Sequence, residues 1–116
     1  MVPICKKKRY KDITAECTFV NCTHDAGTIF VDEKRHIVFL NVMVRFTVTN
    51  GWETFLEIPA KYACTPLIAA QKSSSITATE FWIYQSGDKN VVKGALTKGT
   101  QMAIQGYYML DDFMNA

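Results

Sequence analysis

In the segment Phe81-Trp82-Ile83-Tyr84, apolar and amphipathic aromatic residues alternate. On an extended strand, successive side chains leave opposite faces, so with Phe81 and Ile83 turned inward, Trp82 and Tyr84 stand together on the outside. A pair of outward rings suits one chemistry in particular. The C–H faces of a sugar ring stack on Trp and Tyr, while nearby amides and carboxylates hold its hydroxyls by hydrogen bonds. Gln85, Asp88 and Asn90, on or beside the turn after this strand, are the candidate polar contacts. The competing reading is structural: Trp and Tyr are also enriched where subunits meet, and residues of this kind also simply make turns.

Other chemistries find little support. An enzyme needs a nucleophile with its base, or two carboxylates at a working distance. Ser73-Ser74-Ser75 has no nucleophile elbow around it, and neither His24 nor His36 has a recognisable partner. Glu53 and Glu57 lie four apart and share one face of a strand, an arrangement that serves solubility, while Asp32-Glu33 and Asp111-Asp112 read as turn and tail charges. No catalytic residue is assigned. There is no glycine-rich phosphate cradle and no calcium loop, so no cofactor is expected. The cysteines are Cys5, Cys17, Cys22 and Cys64, with His24 two residues beyond Cys22. Zinc motifs use tighter paired spacings and a second pair, so no metal site is assigned. Reduced, buried thiols are the simplest reading, with Cys64 a small core residue, and a disulfide stays open.

A chain of 116 residues with 48% hydrophobic content is expected to form one globular domain. The net charge of +2 is too small to argue for nucleic acid or another polyanion as a partner. It is unevenly placed: Lys6, Lys7, Lys8, Arg9 and Lys11 crowd the start and read as a solvated basic arm. No stretch is long and apolar enough to insert into a membrane. The residues after the basic cluster, Asp12 to Glu16, are polar where a secretory leader needs an apolar block, so no signal peptide is expected.

The elements that would position the aromatic pair are strands. From His36 to Val48 the chain alternates without a break, with His36, Val38, Leu40, Val42, Val44, Phe46 and Val48 on one side. A strand with one wholly apolar side must lie against a second sheet. Thr28 to Val31, the charged turn Asp32 to Arg35 and this long strand form a hairpin. Asn50-Gly51 is the strongest short-range turn signal in the chain. Further strands are expected around Thr18 to Asn21, at Trp52 to Ile58 stopped by Pro59, at Leu67 to Gln71, at Ile76 to Gln85, at Val91 to Leu96 and at Gln101 to Leu110. About seven to eight short strands with turns between them indicate an all-β protein, an antiparallel β-sandwich or barrel. Residues 1–26 read as an N-terminal arm or attachment segment and 27–116 as the β domain. Phe39, Met43, Trp52, Phe55 and Tyr108 sit on faces the first core does not need and are assigned to subunit contacts.

The order of elements from Gly27 to Leu110 resembles the C-terminal head domains of bacteriophage tail-fibre and baseplate receptor-binding proteins. Leu56-Glu57-Ile58-Pro59-Ala60-Lys61-Tyr62 is similar to that family's proline-containing corner, with Pro66 just beyond it and Lys61 standing where the family carries Gly. Phe81-x-Ile83 before Ser86-Gly87-Asp88 looks like its strand and turn, and Gln105-Gly106-Tyr107-Tyr108 resembles its aromatic final strand. The resemblance implies a jelly-roll-like antiparallel sandwich, a homotrimer, and non-catalytic recognition of a host cell-surface saccharide. It places the protein in the virion tail, assembled in the host cytoplasm, with residues 1–26 attaching it to other tail or baseplate proteins. The alternative is a structural or trimerisation module of a virion with no ligand of its own.

Overall fold

The computed structural model describes residues 10–63, 69–72 and 80–110. They form nine strands: β1 Tyr10–Asp12, β2 Thr18–Phe19, β3 Cys22–Asp32, β4 Ile37–Phe46, β5 Asn50–Ile58, β6 Ala69–Lys72, β7 Glu80–Ser86, β8 Lys89–Leu96 and β9 Gln101–Met109. The first sheet has the order β1-β3-β4-β9 and the second β2-β5-β8-β7-β6, with antiparallel pairing throughout. The protein is an antiparallel β-sandwich. In the second sheet β6, β7 and β8 run as a meander and β5 lies beside β8, a Greek-key order.

The long alternation builds the core as expected. Val38, Leu40, Val42, Val44 and Phe46 are all at most 3% exposed. Phe55, Leu56, Ile58, Phe81, Ile83, Val92 and Leu96 close over them from the second sheet. His36 belongs to the preceding turn instead, at φ +58, so the strand proper starts at Ile37. That turn is organised by the buried Asp32, whose Oδ1 accepts hydrogen bonds from the backbone N–H of Lys34 and of Arg35, each at 3.1 Å.

Four expectations change. The arm does not extend to Ala26: β1 pairs with β3, β2 pairs with β5, and Ile13 is fully buried, so residues 10–26 are built into both sheets. Their apolar positions are scattered over two sheets and a 3₁₀ turn at Thr14–Glu16, which hides any single period. Second, β3 is longer than Thr28 to Val31: a bulge between His24 and Ala26 shifts its register, pairing resumes at Ala26, and Gly27 follows at φ +90. Third, Asn50-Gly51 is no hairpin turn. The chain leaves the first sheet after Phe46 and enters the second at Asn50, so there is no hairpin to close, and neither residue has positive φ. Asn50 Oδ1 accepts instead from the N–H of Trp52, at 3.0 Å. Fourth, β5 does not alternate simply. A bulge between Thr54 and Leu56 sends both Phe55 and Leu56 inward, at 1% and 0% exposure.

The hairpin after β7 is as expected, a two-residue turn at Gly87-Asp88 with Gly87 at φ +66. Pro59 ends β5 and leads into a 3₁₀ turn at Ala60–Tyr62. Lys61 has no positive φ there, so the corner is tight without Gly. Its ammonium lies 2.6 Å from Glu16 Oε1, and the Tyr62 hydroxyl donates to Glu16 Oε2 at 3.1 Å. Pro66, Leu67, Ile76, Cys5, Cys64, Ser73 to Ser75 and Asp111 to Ala116 lie outside the described residues.

Three exposed carboxyls have pKa values below the ordinary range: Glu16 through its hydrogen bond to Lys61, Asp12 through Thr14, and Asp25 through Gln101 and Thr23. A carboxyl whose folded pKa is depressed adds stability above its unfolded pKa and loses it as pH falls through the folded value. The denaturation midpoint is therefore expected to hold from neutral pH to about pH 5 and to fall below about pH 4. Urea melts at stepped pH check this, and Glu16→Gln should flatten part of the acid limb.

Candidate saccharide-binding face

β7 presents Trp82 and Tyr84 outward, half-buried, while Phe81 and Ile83 are at most 2% exposed in the core. Pairing with β8 sets Trp82 opposite Lys93 and Tyr84 opposite Val91. Pairing of β8 with β5 then adds Thr54 beside Lys93 and Glu57 beside Val91. Val91 is 4% exposed although it lies outside the inter-sheet core, so it forms the floor beneath its neighbours.

Trp52, 44% exposed, brings its ring to 6.0 Å from that of Trp82, nearly perpendicular at 87°. Lys93 Nζ lies 5.7 Å from the centre of the Tyr84 ring. The hydrogen bond to Tyr84, with the charge of Glu53 further off, raises the pKa of Lys93 above the ordinary lysine value, so this cation is fixed at any physiological pH. Lys89 and Glu57 form an ion pair at 3.0 Å on the same face. Two indoles, a phenol and a held ammonium form an open surface suited to stacking on a ring and donating to its oxygens.

The five residues expected to bind do not stay together. Trp82 and Tyr84 share the outer face, and Asp88 is exposed at the tip of the turn. Gln85 is exposed, but its register puts it on the other side of β7, opposite Asn90. Asn90 is 0% exposed and cannot touch a surface ligand, a correction caused by strand β8 starting at Lys89 and carrying Asn90 beneath Ile58 and Gln85. Lys93 and Thr54 belong to the face and were missed. The alternation of Val92 and Gly94 with Lys93 marks its outward direction, but only the pairing of β5, β8 and β7 brings it to the rings.

The expected subunit-contact residues fall on different parts of the molecule. Phe55 and Tyr108 are internal, at 1% and 3% exposure, so they are core residues and not contacts between chains. Tyr108 follows Met102 and Ile104 inward along β9 and donates its hydroxyl to the carbonyl of Tyr62. Phe39 and Met43 lie half-buried on the outer face of the first sheet, across the sandwich from Trp52. Phe39 stacks on Phe30 with ring centres 5.1 Å apart.

Cys17 and Cys22 are half-buried free thiols, and burial pushes them up to about 12 and about 11 respectively, which leaves them poor nucleophiles at neutral pH. His24 stacks on Phe19 and its Nε2 lies 2.9 Å from the Gly27 carbonyl. Among the described residues no three His, Cys, Asp or Glu side chains gather as metal ligands, and no helix is long and apolar enough to cross a membrane. Comparison of the chain with protein-family models, curated proteins and solved structures finds no match.

Proposed function

We propose that this protein is a non-catalytic binding head that holds a saccharide on the outer face of its second sheet. The observation that carries the reading is the continuous Trp52, Trp82 and Tyr84 surface with Lys93 fixed against it. A sugar presents apolar C–H faces and a rim of hydroxyls, and this face offers rings with polar groups at their border. The setting, a bacteriophage tail fibre or baseplate that attaches to a host-surface glycan, is supported by the corner, turn and final-strand motifs that resemble receptor-binding heads.

Both tryptophans of the chain are in this surface, so intrinsic fluorescence reports on it directly. A glycan array selects the ligand, and titration of that ligand is followed by tryptophan emission. Trp82→Ala is expected to weaken binding about tenfold or more, which corresponds to about 1.4 kcal/mol, with the fold kept. Lys93→Met should weaken it less. A blank array, or undiminished affinity in Trp82→Ala, would sink the reading.

A further inference from the structure

One charge on the aromatic face is not balanced where it stands. Among the described residues, Arg35, Arg45, Lys61 and Lys89 each place a nitrogen within 3.5 Å of a carboxylate oxygen. Lys11, Lys34 and Lys98 are exposed, so water solvates them. Lys93 has neither. It is half-buried in the middle of β8, and among the described residues no carboxylate lies within ion-pair distance of it. Glu57, which lies across Val91 from Tyr84, is taken by Lys89 at 3.0 Å. Glu53 acts on Lys93 only from further off, and its own oxygens accept from the Thr54 N–H at 3.0 Å and face the Asn50 amide at 3.5 Å.

The contact that Lys93 does make is with Tyr84. An ammonium has three N–H donors. The hydrogen bond to Tyr84 uses one, and the ring 5.7 Å away attracts the cation without neutralising it. Two donors are left on a charge that half-burial has stripped of part of its water. The hydroxyl of a neutral sugar replaces that water poorly, whereas an anionic oxygen accepts a charge-assisted bond roughly twice as strong. Register sets Lys93 between Trp82 on β7 and Thr54 on β5, so a ring stacked on the Trp82 indole brings the groups on its rim to the ammonium.

We infer that the saccharide held on this face is anionic: a sugar ring lies on Trp82 and Tyr84, and a carboxylate, sulfate or phosphate group that it carries pairs with Lys93. The inference rests on the saccharide reading and narrows its ligand to one chemical class. The rings supply most of the affinity, and the ammonium selects among sugars of similar shape by their charge.

An array of matched pairs tests it on the full chain, each acidic glycan printed beside a neutral one of the same ring and linkage: uronic acids beside their carboxyl-reduced forms, and sulfated and phosphorylated sugars beside the unmodified ones. The glycans retained should be acidic. By tryptophan emission at low salt, each should bind about fivefold more tightly than its neutral counterpart, the size expected of one partly exposed ion pair. Raising the ionic strength should shrink that ratio toward one. Lys93→Met should abolish the preference and Lys93→Arg should keep it. Lys34→Met, which removes the same charge from the turn between β3 and β4, should keep it too. Neutral glycans bound as tightly as their acidic partners, or a preference that survives in Lys93→Met, would overturn the inference and leave the saccharide reading standing. A blank array would remove both.

Discussion

Gly27→Ala is expected to destabilise the protein by roughly 3 kcal/mol or more and to lower its melting temperature by about 10 °C or more. Gly27 lies just beyond the bulge between His24 and Ala26, paired with Val42 and at φ +90, where any residue with a Cβ is strained. A Cβ there would lie 2.2 Å from the Asn41 carbonyl oxygen and 2.7 Å from the Val42 Cα. Both are backbone atoms of β4, which is held on its far side by β9 and below by the buried Val42 side chain. Neither can rotate away, so β3 must move off β4 at Gly27. Gly51→Ala is the internal comparison: no atom lies within 4 Å of its Cβ and its φ is not positive. It is expected to change stability by no more than about 0.5 kcal/mol. Thermal unfolding of the two variants side by side checks both, and equal midpoints would mean that Gly27 does not approach β4 this closely.

The same bulges separate the parts of the fold legible in the chain from those that are not. β4 has no irregularity with β9 over nine successive pairs, and there the period of two places every residue from Ile37 to Phe46 on its face. β7 is equally regular, and the outward direction of Trp82 and Tyr84 follows from Phe81 and Ile83 alone. β5 carries two shifts of register, between Asn50 and Glu53 and between Thr54 and Leu56. Each shift reverses the face of the residues beyond it, and so Phe55 passes from an apparent outer position to the core. Asn50-Gly51 misleads for another reason. Turn preference is local to a short stretch of chain, while the choice between a hairpin and a crossing to the other sheet depends on which strands pair, and β5 pairs with the distant β8. The companions of Trp82 were hidden in the same way. Trp52 and Lys93 reach it through two strand pairings that no local pattern encodes.

The two faces of the sandwich surround their aromatic rings with different groups. On the second sheet, ion pairs and a held ammonium surround the rings, so water and a hydroxylated ligand can both be accommodated. On the first sheet the rings are bordered by Met43, Met109 and two amides that bond to each other, with Asp12 opposite Phe30 at the edge.

Phe55 offers the sharpest test of its own placement, because a contact between chains and a core residue fail in different measurements. Its side chain is 1% exposed and meets Phe46 edge-on, with ring centres 5.3 Å apart at 74°, at the point where the two sheets close over each other. Phe55→Ala removes an aromatic ring from a packed interior and leaves a cavity that Phe46, itself 2% exposed in β4, cannot collapse to fill. The expected cost is about 3 to 5 kcal/mol, including about 1 kcal/mol from the edge-on pair. In urea the midpoint should fall steeply, with its dependence on protein concentration unchanged, and the residual folded protein should keep the mass of the unaltered one. Were Phe55 a contact between chains, the variant would instead change its mass, and its midpoint would no longer depend on protein concentration.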